Sequence, residues 1–354
     1  APLQAPCTPA IDALAGEGLL FRNAWANPIC SPTRAAILTG KHGFRTGIGS
    51  IVPYDATQGG LSVDELLLPE VLGGYANAAV GKWHLAYPYD RGDGHGPLHP
   101  LNSGFDSYAG SLYNLEIPAL RSACAGGCGL APYGYTHWAK TVGCTQFCTT
   151  AYATTDTADE ALAAAQAMPA PWFLYVAFNA AHTPYHTAPQ HLCPGLAGCA
   201  CPLASPSPTV PEQVKSAVEA LDTEVGRMVA SLRAADPNLV VLVVGDNGTD
   251  GKASEGPPGG CFGPDRAKQT LYQGGVRVPL IAAGPGVVHG EVGALASVVE
   301  LYATVGELAD ASCPTCAGRR RLCARPCTPS GSRRTACRSR PRHTRGPCAT
   351  RRTS

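Results

Sequence analysis

Leu239-Val240-Val241-Leu242-Val243-Val244-Gly245-Asp246-Asn247-Gly248 is the stretch whose reading decides the fold. Six consecutive apolar residues, four of them Val, do not alternate. They read as a strand buried on both faces, the kind that parallel sheets use. Just upstream, Pro211–Ala235 places Val214, Val218, Leu221, Val225, Met228 and Leu232 at spacings of three and four, one apolar helical face. Asp236-Pro237-Asn238 breaks that helix. Asp-Asn-Gly after the strand is a turn signal. Two adjacent oxygen-bearing side chains at the end of a buried strand also suit a hard cation, so Asp246 and Asn247 are candidate metal ligands.

The same alternation recurs outward. Thr155–Met168 is an alanine-rich helix ended by Pro169, and Trp172–Phe178 is a second buried strand. Pro279–Ala283 predicts another strand and Val298–Leu308 another helix. Toward the N-terminus, Thr8-Pro9 reads as N-cap and first turn of a short helix stopped by Gly16 and Gly18. Leu19–Trp25 and Ala76–Val80 are strands, and Ser31-Pro32 opens a helix over Thr33–Thr39 stopped by Gly40. Asp90–Pro100 reads as a loop, and Ala119–Cys148 as an irregular, Cys-rich insertion. Strands alternating with helices predict the α/β class, with a mixed, largely parallel central sheet flanked by helices.

Composition narrows the function. The net charge of +1 hides an asymmetry: Ala311–Ser354 holds twelve Arg and no Asp or Glu, leaving 15 basic against 26 acidic residues, a net −11, for Ala1–Asp310. An acidic body with a basic tail argues against nucleic-acid binding. No apolar run reaches ~18 residues, so no membrane span is expected. Sixteen Cys include the short pairs Cys124/Cys128, Cys144/Cys148, Cys199/Cys201 and Cys313/Cys316, read mostly as disulfides in an oxidising compartment. The spacing of the first two pairs keeps a structural zinc module as an alternative. From Gly318 the periodicity is lost; residues 318–354 read as a disordered tail or an out-of-frame translation, and 1–317 as the functional domain.

Four more segments carry chemistry. Cys30-Ser31-Pro32-Thr33-Arg34 sets a thiol at a helix N-terminus, whose free N–H groups bind anions; Arg34 can add a charge-assisted bond. Alone, this fits a thiol nucleophile or a buried structural Cys. In Gly81-Lys82-Trp83-His84-Leu85, Lys82 and His84 share one side of an extended segment. Asn179-Ala180-Ala181-His182-Thr183-Pro184 follows a strand, where α/β sheets bind ligands. Lys268 opens the last segment, which runs through Gln273-Gly274-Gly275 to Arg277-Val278-Pro279.

Together, and in this order, these segments resemble the formylglycine-dependent (type I) sulfatases of the alkaline phosphatase superfamily. The resemblance includes C-x-P-x-R with L-T-G at 38–40, G-K-W-H-L, H-x-P, D-N-G and K-x-x-x-x-x-G-G-x-R-V-P. Ala86 and Gln273 stand where the family has Gly and Glu. The resemblance implies that Cys30 becomes formylglycine, whose hydrated aldehyde attacks sulfur. It makes Arg34 the orienting cation, and Lys82 and Lys268 sulfate ligands. His84 becomes the base on the second hydroxyl and His182 the acid for the leaving alcohol, with His186 a weaker candidate. Asp246 and Asn247 hold Ca2+, with Mg2+ an alternative. The implied partners are a sulfate ester substrate and a formylglycine-generating or anaerobic maturation enzyme, in the periplasm or outside the cell.

The resemblance also implies a first strand ending in paired aspartates that completes the metal site. This chain opens at Ala1 with neither Met nor visible signal peptide, so that strand is expected to be missing. Its loss would leave a hydrophobic slot and weak or no activity. A non-catalytic homologue and a phosphate or phosphonate ester hydrolase are the alternatives; Cys30 favours the sulfatase, since a phosphatase more often carries Thr or Ser there.

Overall fold

The computed structural model describes residues 5–54, 59–87, 96–115, 133–203 and 205–309. The N-terminal part runs α1 (Pro9–Glu17), β1 (Leu19–Trp25), α2 (Cys30–Thr39), α3 (Gly43–Thr46), α4 (Leu68–Val71) and β2 (Ala76–Gly81). Next come α5 (His99–Asn102), β3 (Ser107–Gly110), β4 (Trp138–Val142), β5 (Thr145–Thr149), α6 (Ala153–Ala167) and β6 (Trp172–Ala177). Then follow α7 (Val210–Ala235), β7 (Val241–Val244), α8 (Gln273–Val276), β8 (Arg277–Val278), β9 (Leu280–Ala283), β10 (Gly290–Ser297) and α9 (Leu301–Leu308).

The α/β class with mixed sheets flanked by helices is as expected, but among the described residues the pairing is not largely parallel and divides the strands into two sheets. One has the order β10-β1-β9-β7 with β8 also on β1; the other is β5-β4-β3-β2-β6. Parallel pairing joins β1 to β10 and β2 to both β3 and β6; the other pairs are antiparallel. β6 and β7 therefore each end a sheet. Their side chains nonetheless share cores: Leu174 and Val176 with Val241 and Val243 on one face, Tyr175 with Leu242 and Val244 on the other. The faces continue from sheet to sheet while the two backbones do not pair.

The expectation of a strand buried on both faces is met only in part: both faces of β7 pack against cores, but the strand lies at a sheet edge. All four residues of β7 are half-buried, and β7 runs antiparallel to β9. Its apolar composition is that of an interior strand, but among the described residues only β9 pairs with its backbone.

Local chemistry sets the long helix. Thr209 caps α7: its backbone N–H donates to the Glu212 carboxylate at 2.7 Å, and its hydroxyl faces the Glu212 N–H. α2 begins at Cys30, not at Thr33. A proline in the first turn has no N–H to lose, so the helix runs back through Pro32. Cys30 is thus inside the first turn. The expected Asp90–Pro100 loop gives way at its end to a 3-10 turn and to α5, which starts at His99. The described part of the Cys-rich insertion is not irregular, since it contains the β4–β5 hairpin turned at Gly143 with φ +60. Residues 116–132, with Cys124 and Cys128, lie outside the described residues, as do Cys313, Cys316 and the 317/318 boundary.

Cys199 and Cys201 are both in disulfides but not with each other: the bonds are Cys7–Cys199 and Cys193–Cys201. Cys144 and Cys148 are disulfide-bonded too, which removes their thiols from any zinc site. Buried Glu219 of α7 accepts the N–H groups of Cys7 (2.9 Å), Ala200 (2.8 Å) and Cys201 (2.7 Å), gathering both disulfides on one carboxylate. The Cys7–Cys199 bond closes a loop of sequence separation 192. Replacing both residues by serine is expected to lower stability by about 2–5 kcal/mol. A urea midpoint unchanged at constant slope would contradict that.

Candidate active site

The candidate residues come from the C-terminal ends of β2, β6 and β7, the first turn of α2, and the loop before α8. Gly81 ends β2 at φ +88, and a Cβ there would lie 2.1 Å from the Ala177 carbonyl oxygen. Only glycine lets the chain turn so close to β6. The next residues are held first by β6 and then by the segment after β3: Lys82 N–H donates to Ala177 O at 2.7 Å, Trp83 N–H to Ser111 O at 2.9 Å, and His84 N–H to Leu112 O at 3.0 Å. His84 is held at φ +56, a strained backbone for a side chain of its size.

Lys82 (3% exposed), His84 (0%) and Cys30 (1%) form a buried group. Cys30 Sγ lies 3.2 Å from His84 Nδ1. His84 Nε2 is buried without a partner among the described residues, and Tyr113 packs edge-on against the ring at 4.2 Å. Burial, then the charges of Lys82 and Arg34, hold the His84 pKa well below its ordinary value, so the imidazole is neutral.

Arg34 ties the elements together. Its Nη1 donates to the Lys82 carbonyl and its Nη2 to Asp246 Oδ2 at 2.8 Å. Burial opposes the Arg34 charge, but Tyr175 and Asp246 raise its pKa above the ordinary value. Burial likewise opposes ionisation of Asp246, and the cations Arg34, Lys82 and Lys268 outweigh it, holding that carboxyl below its usual range. Lys82 is lowered to about 8, by burial first and by Arg34 and Lys268 among its neighbours.

His182 is half-buried. Its Nδ1 lies 3.1 Å from both Thr183 O and Thr183 Oγ1. Burial, then Lys82 and Lys268, lower its pKa to about 3. His186 is apart from this group: it stacks on Tyr135 and contacts the Tyr152 hydroxyl. Lys268 is placed by its backbone, Lys268 N–H to Thr249 O and Gln269 N–H to Pro28 O, each 2.8 Å. The Asp-Asn-Gly turn and the glycine pair touch backbone to backbone: Gly248 N–H donates to Gly275 O at 2.8 Å, and a Cβ on Gly248 would meet Gly274 O at 1.8 Å. Arg277 donates to the Arg22 carbonyl and shapes the loop from outside.

The donor set fits a hard cation beside an anion. Among the described residues Asn247 Oδ1 is buried without a partner while its Nδ2 donates to Gly248 O, so an oxygen is available for a metal. Arg34 Nε is likewise buried and unpartnered, on the side chain that spans Lys82 and Asp246. Sequence reading missed the supports: Tyr113 against His84, Tyr175 beside Arg34, and Asn179, whose side chain pairs with Ser111. Only Asn179, directly after a strand, carried a local signal.

The sulfatase family profile matches residues 2–311. N-acetylgalactosamine-6-sulfatase of Mus musculus is 32% identical over 335 residues, covering 87% of this chain and 59% of that one. Arylsulfatase A of Homo sapiens is 31% identical over 331 residues, covering 87% and 60%. The chain therefore spans about three fifths of the length of these relatives. The crystal structure of Ps i-CgsB in complex with k-i-k-neocarrahexaose shares the fold, at a TM-score of 0.70 and 24% identity, covering 89% of this chain and 69% of that one. With the profile over most of its length, the chain belongs to the sulfatase family.

Proposed function

We propose that the chain is the core of a sulfuric ester hydrolase that cleaves sulfate monoesters, with Cys30 as the precursor of the nucleophile. The observation that carries this reading is the clustering of Cys30, His84, Lys82, Arg34 and Asp246 around one buried position. Formylglycine at position 30 would supply a hydroxyl nucleophile, and a divalent cation, Ca2+ in preference to Mg2+, would neutralise charge on a sulfate oxygen. Asp246 and Asn247 would hold that cation, and the resemblance assigns its other ligands to the paired aspartates that end the family's first strand.

The chain's own residues account for the rest. Arg34, Lys82 and Lys268 surround the sulfate with positive charge before it arrives, so no reorganisation is needed as charge shifts during bond cleavage. His182 gives a proton to the leaving alcohol. In the free protein it is neutral, because burial first, and then Lys82 and Lys268, disfavour its charged form; a bound anion offsets the repulsion. With Nδ1 turned to its own loop, Nε2 is the nitrogen left to serve the leaving oxygen. His84 Nδ1, 3.2 Å from Sγ of residue 30, is the atom placed to take a proton from an oxygen there. The disulfides favour an oxidising compartment, periplasmic or extracellular, after maturation by a formylglycine-generating or anaerobic enzyme.

The test compares p-nitrophenyl sulfate with p-nitrophenyl phosphate after co-expression with a maturation enzyme. A preference for sulfate of about 100-fold or more is expected; a preference for phosphate would favour the phosphate ester hydrolase reading. The pH profile gives a second check. Lys82 binds the anion when protonated, below about 8, and loses its charge above that. kcat/KM is therefore expected to fall about tenfold per pH unit on the alkaline side. A profile flat from about pH 7 to about 9.5 would remove Lys82 from sulfate binding.

A further inference from the structure

The insertion contributes a residue to the site that no motif marks. Tyr135 is 3% exposed and lies in the short Gly134–His137 turn before β4. Its hydroxyl is 2.8 Å from Asn179 O and 2.9 Å from His182 O. Those carbonyls begin and end the turn closed by His182 N–H donating to Asn179 O at 2.9 Å. One phenol thus bonds both ends of the turn that carries His182.

The phenol is itself fixed. Its ring stacks on His186 at 3.9 Å between centroids and 25° between planes. The Tyr152 hydroxyl lies 2.9 Å from His186 Nε2, and His186 Nδ1 faces Pro184 O at 3.3 Å. With Tyr152 O–H donating, Nδ1 carries the hydrogen and the imidazole is neutral. Tyr135 O accepts Ala153 N–H at 2.8 Å, which docks the turn on the start of α6. The Tyr135 hydroxyl is therefore a rigid donor and His182 sits on an irregular loop, so direction passes from the insertion to the loop.

We propose that Tyr135 is a positioning residue for His182, its hydroxyl fixing where the proton donor meets the leaving oxygen. The assignment rests on the reading of His182 as the leaving-group acid. A positioning role of this kind has a signature that general destabilisation lacks. An acid matters most when the leaving group is a poor one, and little when the departing anion is already stable.

The experiment measures kcat of the matured protein on phenyl sulfate, a poorer leaving group, and p-nitrophenyl sulfate, a better one. Tyr135→Phe removes one oxygen and keeps the stacked ring. It is expected to lower kcat on phenyl sulfate about tenfold and on p-nitrophenyl sulfate less than about twofold, with KM nearly unchanged. His182→Ala is expected to show the same bias more strongly. Both rates come from one sample, so a smaller folded fraction lowers both and leaves their ratio unchanged. An equal loss on both substrates, or no loss, in Tyr135→Phe while His182→Ala keeps the bias would overturn the assignment. Absence of the bias in His182→Ala would overturn the underlying reading and this assignment with it.

Discussion

Cys30→Ala in the matured protein is expected to lower turnover of an aryl sulfate by about 10⁴-fold or more, with stability within about 1 kcal/mol of the parent. Two features separate these effects. Cys30 sits in the first turn of α2, with free backbone N–H groups and the Arg34 side chain nearby, so a group there meets the anion. It also touches His84 Nδ1, the nearest proton acceptor. Its packing, by contrast, is modest: alanine gives up one buried sulfur and leaves a small cavity. A structural cysteine would give the reverse pattern, a falling urea midpoint and an unchanged rate.

Arg34→Ala is expected to be costly in both respects. The guanidinium bonds the Lys82 carbonyl and the Asp246 carboxylate together, joining the end of β2 to the end of β7. Removing it leaves Asp246 without its strongest partner, at a cost of about 3 kcal/mol, the low end for a broken buried pair. The low end applies because the Asp246 side chain is 32% exposed and partly screened. The rate is expected to fall about 10²–10³-fold, as for the loss of one preorganised donor at developing charge. Arg34→Lys keeps the charge but cannot span both oxygens, so its rate should lie between the two. A fully active alanine variant, or a lysine variant no better than alanine, would contradict this role.

Elements written in local chemistry were legible in the sequence. β1 has the predicted bounds, and α7 starts one residue before its predicted Pro211, where the Thr209–Glu212 box sets its N-terminus. Gly40, at φ +64, stops α2 as read. Features set by distant partners were not legible. β10 has the weak strand composition Gly290-Glu291-Val292-Gly293-Ala294-Leu295-Ala296-Ser297, and is a strand because β1, some 270 residues earlier, pairs with it from Leu19↔Gly290 to Trp25↔Ser297. β7 looked interior by composition, but burial depends on what lies beside it. Of the candidate site, the segments name Cys30, Arg34, Lys82, His84 and Asp246, which the fold brings together, while Tyr113, Tyr135 and Tyr175 reach the candidate residues from elements without a motif. Their roles are contacts, and contacts between distant segments leave no spacing to read.

The central claim, that Cys30 is the precursor of the nucleophile, is tested most directly by mass spectrometry of the tryptic peptide Asn23–Arg34 from protein co-expressed with a maturation enzyme. The account predicts a peptide about 18 Da lighter than the cysteine form, from exchange of sulfur for oxygen with loss of two hydrogens. Unmodified cysteine, beside a control protein that the same enzyme converts, would contradict it.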